Sequence, residues 1–511
     1  MTSIRQKLVA GSLAAASMLL TAAVPAEDDG WREVRTEHFV VRTDADRERA
    51  MSLATDLEKY RFTIAYLSGL NTGNAPSVPV TVYAYASYDD YIDDTGAYGT
   101  AGFYIPRPTG PVSVLSLEDG DEDWHLSGKR VLFHEYTHHI LHQYSPLEYP
   151  RWYDEGFAEY MATMEFDGDH AVIGKPALHR APYLKRVADW LRAFEIIDSR
   201  GRYLGHIGSN RVRDPRRGKG GQSMQYAQGW LMVHYLHSRP ELQRAIPGYI
   251  ETINRADVDD EAVSEQAFGM DYKRFDRELR RYWNDKRFGT GRVEIASKMP
   301  VVEPDYREMT RAEADAMKYE AAVATGRFDA VNEKLARDAF DECLQAGVRP
   351  DDMRLALIEL ALADEDWERA ESHVAALTAE APEDARALTA AIRLQRLRAG
   401  EDLGRDEAAA LRKRAVEAIM ADPTHVPALL EFADLTFDHD LPVNDNVGHV
   451  VESIRFLAPD LVEGRIFEAR LVAHDGKRDR ALAIIDEMIK WSNSTDEEVR
   501  LKDVREEIES G

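Results

Sequence analysis

Residues 129–144 read KRVLFHEYTHHILHQY, and residues 152–160 read WYDEGFAEY. The first stretch contains no Gly or Pro and has apolar residues to bury, so it predicts a helix. His134 and His138 are four residues apart on that helix, which places both imidazoles on one face where they can share a tetrahedral metal ion. Glu135 lies beside them, where its carboxylate can reach a metal-bound water.

The second stretch supplies a third candidate ligand. A turn with two prolines occupies residues 145–150, and a second helix is predicted from about Arg151. Glu155 and Glu159 are four positions apart on that helix and therefore share a face. Two short helices joined by a turn can bring Glu155 to the two histidines. The residues thus predict a zinc site with two nitrogens and one carboxylate, and with Glu135 as the base for metal-activated water.

These motifs resemble those of gluzincin metallopeptidases, in the peptidase MA-like superfamily that includes aminopeptidase N and thermolysin. WYDEGFAEY is similar to the Asn-Glu-Gly-Phe-Ala stretch that carries the third zinc ligand in aminopeptidase N relatives. The resemblance implies one zinc ion held by His134, His138 and Glu155, with Glu135 as the general base of peptide hydrolysis. It also implies a supporting role for Glu159, which would hold a ligand histidine by its free ring N–H.

The spacing of the third ligand departs from the family pattern. Sixteen residues separate His138 from Glu155, whereas about eighteen is the more usual number. Glu155 is the expected direct ligand, and Glu159 is the alternative. Two further histidines of the first stretch, His139 and His142, are predicted to be packed or solvated rather than to bind the metal.

A later helix is predicted over residues 222–236 and contains Tyr226. Related peptidases often place a Tyr or His of this region at the site, so the resemblance implies that Tyr226 stabilises a tetrahedral oxyanion. The alternative is a tyrosine of the core. Residues 210–221 (NRVRDPRRGKGG) are basic and glycine-rich; they predict a solvated loop, with a lid as the alternative.

Composition limits the class of protein. The chain has 511 residues, too many for one core, and a formal net charge of −27, which argues against nucleic acid or anionic lipid as a partner.

Residues 1–26 have a positive start, an apolar run and a small-residue ending, which predicts a cleaved signal peptide and no stable membrane span afterwards. An uncleaved anchor is the alternative. The single cysteine, Cys343, excludes an intramolecular disulfide. We therefore expect an exported protein, periplasmic or secreted.

The pattern of strands and helices divides the chain. Residues 27–290 alternate between strand and helix signals, which predicts an α+β zincin-like catalytic domain. Residues 291–310 contain two prolines and predict a linker. From residue 311 to residue 511, alanine-rich amphipathic helices dominate. Prolines punctuate this part at intervals near the roughly 34-residue period of tetratricopeptide repeats, which predicts an all-α, TPR-like helical-repeat domain. The alternative is a plain α-helical domain that only packs against the peptidase.

The sequence as a whole predicts an exported zinc metallopeptidase that acts on a protein or peptide substrate, with helical repeats that could hold a partner protein. Aminopeptidases of this superfamily carry a Gly-x-Met-x-Asn type segment that binds the substrate amine. No such segment precedes His134 here, so the resemblance favours an endopeptidase. Two alternatives stay open. One is a catalytically silent zincin scaffold whose helical repeats bind partner proteins, and the other is a metallohydrolase that acts on a non-peptide amide.

Overall fold

The computed structural model describes residues 30–73, 77–118, 127–145, 147–197, 221–255, 258–325, 330–492 and 494–510. The predicted signal peptide and nearly all of the basic stretch 210–221 lie outside these residues. In the described ranges, no helix is long and apolar enough to cross a membrane.

The N-terminal part of the chain builds two sheets. The larger sheet has six strands, in the order β4 (Gly102–Ile105), β5 (Val112–Ser116), β3 (Val80–Tyr85), β2 (Phe39–Thr43), β1 (Arg32–Arg35) and β9 (Asp305–Glu308). Strands β2, β3 and β5 are parallel, and the others are antiparallel to the strands they pair with. The smaller, antiparallel sheet contains β6 (Glu165–Asp167), β7 (His170–Ile173) and β8 (Gly291–Glu294).

Helices surround these sheets. Those of the N-terminal part are α1 (Arg47–Ser68), α2 (Tyr88–Thr95), α3 (Gly128–Tyr144), α4 (Arg151–Met161), α5 (Ala181–Leu184), α6 (Ala193–Ile196), α7 (Gly221–His237), α8 (Pro240–Gln243), α9 (Ile246–Ile253), α10 (Asp260–Phe268) and α11 (Tyr272–Asp285). Strands β6 and β7 form a hairpin directly after α4. The predicted metal helix is α3, and the helix after the proline turn is α4.

The two faces of the large sheet have different partners. Strand β3 shows this, because its residues alternate between the faces. Val80 and Val82 pack with α1 and α3 in the main apolar core. Tyr83 and Tyr85 face the other way and pack with α2 and with Met317, which lies in the helix that follows β9. The metal helix α3 is therefore fixed on one face of the sheet, and the start of the C-terminal part closes the other face.

The predicted linker, residues 291–310, is wrong as a structural unit. It contains β8, which pairs with β7, and β9, which pairs with β1. Both strands have four residues and lie at sheet edges, so their period-2 pattern is too short to detect next to Pro300 and Pro304. The C-terminal part is thus joined to the N-terminal domain through the sheet itself.

A buried group of ions reinforces this junction. The guanidinium of Arg42 lies between Glu33 and Glu320, and Arg349 also binds Glu320, with Nη1 2.6 Å from Oε1. Glu33 is 1% exposed. Burial alone would raise the pKa of Glu33, but the cations Arg42, Arg35 and Arg307 outweigh that effect and lower it to about 2. Separating the two parts would leave these charges uncompensated in a desolvated place, which costs several kcal/mol, on the order of 3–5.

Helices continue to the end of the described chain. They are α12 (Arg311–Thr325), α13 (Ala330–Gln345), α14 (Pro350–Ala363), α15 (Trp367–Glu380), α16 (Ala385–Ala399), α17 (Arg405–Ala421), α18 (Val426–Asp438), α19 (Asp445–Leu457), α20 (Val462–His474), α21 (Arg478–Trp491) and α22 (Thr495–Ser510). Each helix packs against the next one, and α12, α14, α16, α18, α20 and α22 also pack against one another in that order. Contacts that stay between neighbours are the signature of stacked helix pairs, so the predicted helical-repeat character is confirmed. We call these six helices, which pack against one another in sequence order, the inner layer.

Ion pairs inside the inner layer show the repeat length directly. Arg386 donates to Asp352 across a sequence separation of 34 residues, and Arg396 donates to Glu431 across 35 residues. Arg500 of α22 donates to Glu463 of α20 across 37 residues. These separations lie close to the roughly 34-residue period of tetratricopeptide repeats. The same kind of pair thus links one repeat to the next.

A glycine contact places α4 against α7. Gly156 of α4 and Gly229 of α7 meet where the two helices cross, and a Cβ on Gly156 would overlap the carbonyl oxygen of Gly229. A Cβ on Gly229 would lie 2.9 Å from the carbonyl oxygen of Trp152, which is closer than packed atoms tolerate. Glu155 and Tyr226 lie within one turn of this crossing. The two glycines therefore set how closely these side chains approach α3.

Gly229→Ala is expected to lower the free energy of unfolding by about 1–3 kcal/mol, because the new methyl group forces α4 and α7 apart. Urea denaturation measures this. The matched control is Gly248→Ala in α9, an exposed helical glycine with no atom within 4 Å of the added Cβ. That change is expected to be neutral or to stabilise the chain by up to about 1 kcal/mol. Equal effects of the two substitutions would show that the crossing does not constrain the fold.

Candidate metal centre

Three side chains from α3 and α4 converge on one point. The Nε2 atoms of His134 and His138 are 3.3 Å apart, and Glu155 Oε2 lies 3.3 Å from the first and 3.4 Å from the second. Ligand atoms about 2.0–2.1 Å from a tetrahedral zinc ion are about 3.3–3.4 Å from one another. The three atoms therefore already form one face of a zinc tetrahedron, and two imidazoles with a carboxylate are a donor set that suits zinc.

The electrostatics of these groups agree with that arrangement. Burial alone would raise the pKa of Glu155, but the hydrogen bonds with His134 and His138 outweigh it and lower the pKa to about 2. Arg151, one turn earlier in α4, adds an ion pair with Nη2 3.3 Å from Oε1. The carboxylate is thus held ionised, as a metal ligand must be. Glu155, rather than Glu159, is the carboxylate that faces both Nε2 atoms.

Glu159 lies behind His134 instead. Its Oε1 is 3.4 Å from His134 Nδ1, the nitrogen on the far side of the ring from Glu155. Oε2 of Glu159 is 2.9 Å from His179 Nε2, and Arg180 forms an ion pair with the same carboxylate. Burial alone would raise the pKa of Glu159, but these partners outweigh it and lower the pKa well below its usual range. A carboxylate so placed can fix the tautomer and the orientation of His134. The motif indicated Glu159, whereas His179 and Arg180 gave no signal in the sequence.

A second carboxylate supports His138. Asp154 Oδ1 is 2.9 Å from His138 Nδ1, and Asp154 Oδ2 is 3.2 Å from His142 Nε2. Asp154 can thus fix the tautomer and the orientation of His138 from its Nδ1 side, as Glu159 can for His134. It is adjacent to Glu155 in sequence, and on a helix adjacent residues point about 100° apart. Because that rotation points the two side chains in different directions, the sequence did not predict that Asp154 and Glu155 both contact His138.

The array of hydrogen bonds then reaches the C-terminal repeats. Asp460, in the loop between α19 and α20, has Oδ1 3.3 Å from His142 Nδ1 and Oδ2 3.2 Å from His139 Nδ1. The two histidines predicted to be packed or solvated are therefore paired with a carboxylate that lies more than three hundred residues away. Asp154 and Asp460 each bridge two imidazoles, so an unbroken path runs from His138 through His142 to the repeats.

Glu135 and Tyr226 lie beside the three candidate ligands but are not among them. Glu135 is half-buried on α3. The ring of Tyr226 meets that of His134 edge to face, with centroids 6.2 Å apart. The guanidinium of Arg180 lies 5.0 Å from the centre of the Tyr226 ring. Tyr226 thus packs next to the site, as both the oxyanion prediction and the core-tyrosine alternative required.

Comparisons with known proteins give distant matches. No protein-family model matches the chain. A search of curated proteins finds the uncharacterized protein YhcO of Bacillus subtilis (strain 168), which is 28% identical over 116 residues. That match covers 20% of this chain and 36% of YhcO, so the chain spans about a third of the relative's length. Among solved structures, yeast Tom70 aligns with a TM-score of 0.31 and 12% identity, over 91% of this chain and 75% of Tom70.

The prediction that the chain is a zinc metallopeptidase is wrong on these comparisons. Neither match supports a peptidase: the sequence relative is uncharacterized, and the solved structure that aligns is that of yeast Tom70. The error has a physical source. The spacing of His134, His138 and Glu155 predicts that three donor atoms lie close together, and therefore predicts metal binding only. Hydrolysis requires in addition that a substrate be held beside the metal, and ligand spacing carries no information about that.

Asp154→Asn is expected to weaken zinc binding by about 10–100-fold, because the amide cannot hold His138 Nδ1–H as a carboxylate does. Competition with a chromogenic chelator measures the dissociation constant. Asp167→Asn is the control, since Asp167 is exposed on β6 and pairs with the exposed Arg292. A zinc affinity of Asp154→Asn equal to that of the wild type would exclude the supporting role.

Proposed function

We propose that the chain is a protein-binding scaffold. In this proposal the helical repeats bind a partner protein, and the N-terminal domain is a catalytically silent zincin-like fold that holds one zinc ion at His134, His138 and Glu155. The observation that carries the proposal is the inner layer of the repeats, a stack of six helices from α12 to α22. Such stacks present a long continuous surface that suits the binding of a protein or peptide.

Exposed apolar side chains on the repeats support this function. Met420 on α17 is 78% exposed, Val416 on the same helix is 39% exposed, and Val499 on α22 is 54% exposed. Met420 and Val416 are four residues apart, so they share one face of α17. Methionine is flexible and polarisable, which makes it a frequent residue of binding surfaces that adapt to their partners. Helix α17 lies outside the inner layer, so this face is a second candidate contact for the partner, beside Val499 on the inner layer.

Zinc has a structural role in the proposal. The ion would tie α3 to α4 through one ligand atom from each of His134, His138 and Glu155, and these ligand bonds would stabilise the contact between the two helices. Around it, Asp154 and Glu159 orient the two imidazoles. Glu135 and Tyr226 need no catalytic part in this account.

The leader and the net charge support a cellular compartment and a class of partner. The leader-like residues 1–26 support an exported protein, with the periplasm as the proposed compartment. The net charge of −27 supports a protein partner rather than nucleic acid or an anionic membrane surface.

The partner surface can be tested by site-specific photocrosslinking in cells that express the full chain. A crosslinking residue at Val499, on helix α22 of the inner layer, is expected to give a discrete adduct, because a partner bound to the inner layer lies within its reach. The control position is Val301, which is 86% exposed and lies between β8 and β9 of the N-terminal domain. An adduct at both positions, or at neither, would contradict partner binding on the repeats.

The proposed lack of catalytic activity in the zinc-binding domain has a separate test. Zinc-loaded wild-type protein and its Glu135→Gln variant are incubated with a peptide library, and new termini are counted by mass spectrometry. Equal backgrounds for the two proteins are expected. Cleavage by the wild type that Glu135→Gln abolishes would overturn the proposal.

A further inference from the structure

The loop between α19 and α20, residues 458–461 (APDL), is a part of the repeats that contacts α3. Ala458 and Leu461 are buried in the apolar cluster of α16 to α20, and the N–H of Leu461 donates to the carbonyl oxygen of Ala458 at 3.1 Å. Both ends of the loop are thus fixed to the repeats. Asp460, between them, forms a hydrogen bond with His142 of α3. Any movement of the loop relative to α3 therefore moves this carboxylate.

His142 carries a positive charge in this arrangement. Its Nδ1 lies 3.3 Å from Asp460 Oδ1, and its Nε2 lies 3.2 Å from Asp154 Oδ2. An ionised carboxylate can only accept a hydrogen bond, so both ring nitrogens must donate, and a ring with two N–H groups is an imidazolium. The charge-assisted bonds on its two sides fix the positions of Asp154 and Asp460 relative to each other.

The carboxylate of Asp154 also holds a candidate zinc ligand. Its Oδ1 lies 2.9 Å from His138 Nδ1, and the Nε2 of that ring faces the position where the three donor atoms converge. A ligand ring whose Nδ1 donates to a carboxylate has its Nε2 lone pair free for the metal and its orientation fixed. The orientation of His138 therefore depends on Asp154 and, through His142, on Asp460. We call these four residues the histidine path.

Other contacts join the repeats to the same region and lie outside the histidine path. The ring of Phe456, at the end of α19, meets that of Tyr144 edge to face, with centroids 5.6 Å apart. Arg465 of α20 donates to Glu148 in the turn before α4, with Nη1 3.3 Å from Oε1. The effect of the path can therefore be separated from the effect of docking as a whole.

The loop also forms part of the wall of a cavity of about 360 Å³. Another part of the wall is the start of α22, with Glu497 and Arg500. Helices α20 and α22 are the last two of the inner layer, and Val499, which lies between these residues in sequence, is 54% exposed. The position of the loop thus sets the shape of the inner layer beside the proposed partner contact.

We propose that Asp460 is a positioning residue of the metal centre, and that zinc binding and the docking of the α19–α20 loop are one coupled equilibrium. The docked loop orients His138 through the histidine path and so strengthens zinc binding. Because linked equilibria are reciprocal, zinc strengthens the docking of the loop by the same factor.

Zinc in this way regulates the proposed partner surface. The zinc-loaded chain has a fixed cavity wall, so a partner that binds there loses less entropy and binds more tightly. The inference rests on the proposed function, since it adds regulation to the zinc site and to the partner surface named there.

Asp460→Asn tests the histidine path, because an amide bonds less strongly to the positive ring of His142 than a carboxylate does. It is expected to weaken zinc binding by the full chain about 3–30-fold, measured by competition with a chromogenic chelator. Arg465→Ala is the matched control, because it removes a contact between the repeats and the N-terminal domain outside the path. It is expected to keep the wild-type zinc affinity to within about twofold.

A double-mutant cycle identifies the route of the effect. His142→Gln interrupts the histidine path, because glutamine is uncharged and donates from one nitrogen only. This variant alone is expected to weaken zinc binding, and Asp460→Asn is expected to cause no further loss in its background. In the Arg465→Ala background, Asp460→Asn is expected to keep its full effect. A general structural role of Asp460 would instead give equal losses in both backgrounds.

Thiol labelling tests the reciprocal effect. Glu497→Cys places a thiol on the cavity wall, and burial raises the pKa of the native Cys343 thiol to about 11, so that thiol does not compete. Saturating zinc is expected to slow labelling at Glu497→Cys at least about twofold, and to lose this effect when Asp460→Asn is added. Val301→Cys, at an 86% exposed position between β8 and β9, is the control and is expected to react at one rate with and without zinc.

Three results would overturn the inference, provided that the variants melt within a few degrees of the wild type. They are an unchanged zinc affinity of Asp460→Asn, equal losses in the two backgrounds of the cycle, and labelling at Glu497→Cys that zinc does not slow. Each leaves zinc binding by the wild type and an adduct at Val499 unaffected, so the proposed function would stand. A wild type without zinc affinity would remove both the proposed zinc site and this inference.

Discussion

One carboxylate of the repeats, that of Asp460, lies against the helix that carries the candidate metal ligands. It bridges His139 and His142 of α3, and His142 is joined through Asp154 to His138. Burial alone would raise the pKa of Asp460, but the two histidines outweigh it and lower the pKa well below its usual range. A buried charge of this kind is stable only while its partners stay in place. The position of the loop between α19 and α20 and the orientation of His138 therefore depend on each other.

A second buried ion pair joins the N-terminal domain to the other end of the repeats. Helix α12 covers one face of the large sheet, and Glu320 on that helix compensates Arg42 in the interior. The array of helices is thus held to the N-terminal domain at its start, through Glu320, and again near its end, through Asp460. In the proposed scaffold, this attachment at both ends would keep the surface pre-formed and so lower the entropy that a partner loses on binding.

Much of the site could be predicted from the sequence because it is local. His134 and His138 share a helical face whatever the rest of the chain does, and Glu155 with Glu159 repeats that relation on the next helix. Asp154, His179 and Asp460 could not be predicted in the same way. Their roles arise from the packing of α4, of the segment after β7 and of a distant loop, and Asp460 is separated from His139 by 321 residues. The strands β8 and β9 were missed because four residues at a sheet edge carry too little pattern.

The predicted function went wrong at the step from geometry to activity. The donor set of α3 and α4 has the shape of a zinc site, but the ligand geometry alone does not show that a substrate is held and turned over there. The helical repeats were easier to predict, since alanine-rich amphipathic helices with periodic prolines have few other ways to pack.

Hydrogen–deuterium exchange of the full chain, with and without zinc, tests the coupling of the metal centre to the repeats most directly. Zinc bound at His134, His138 and Glu155 would fix His138, and through Asp154 and His142 it would fix Asp460. Exchange at the amides of residues 458–463 is therefore expected to slow when zinc binds, although these residues hold no ligand. Protection confined to α3 and α4, with unchanged exchange at residues 458–463, would contradict the account.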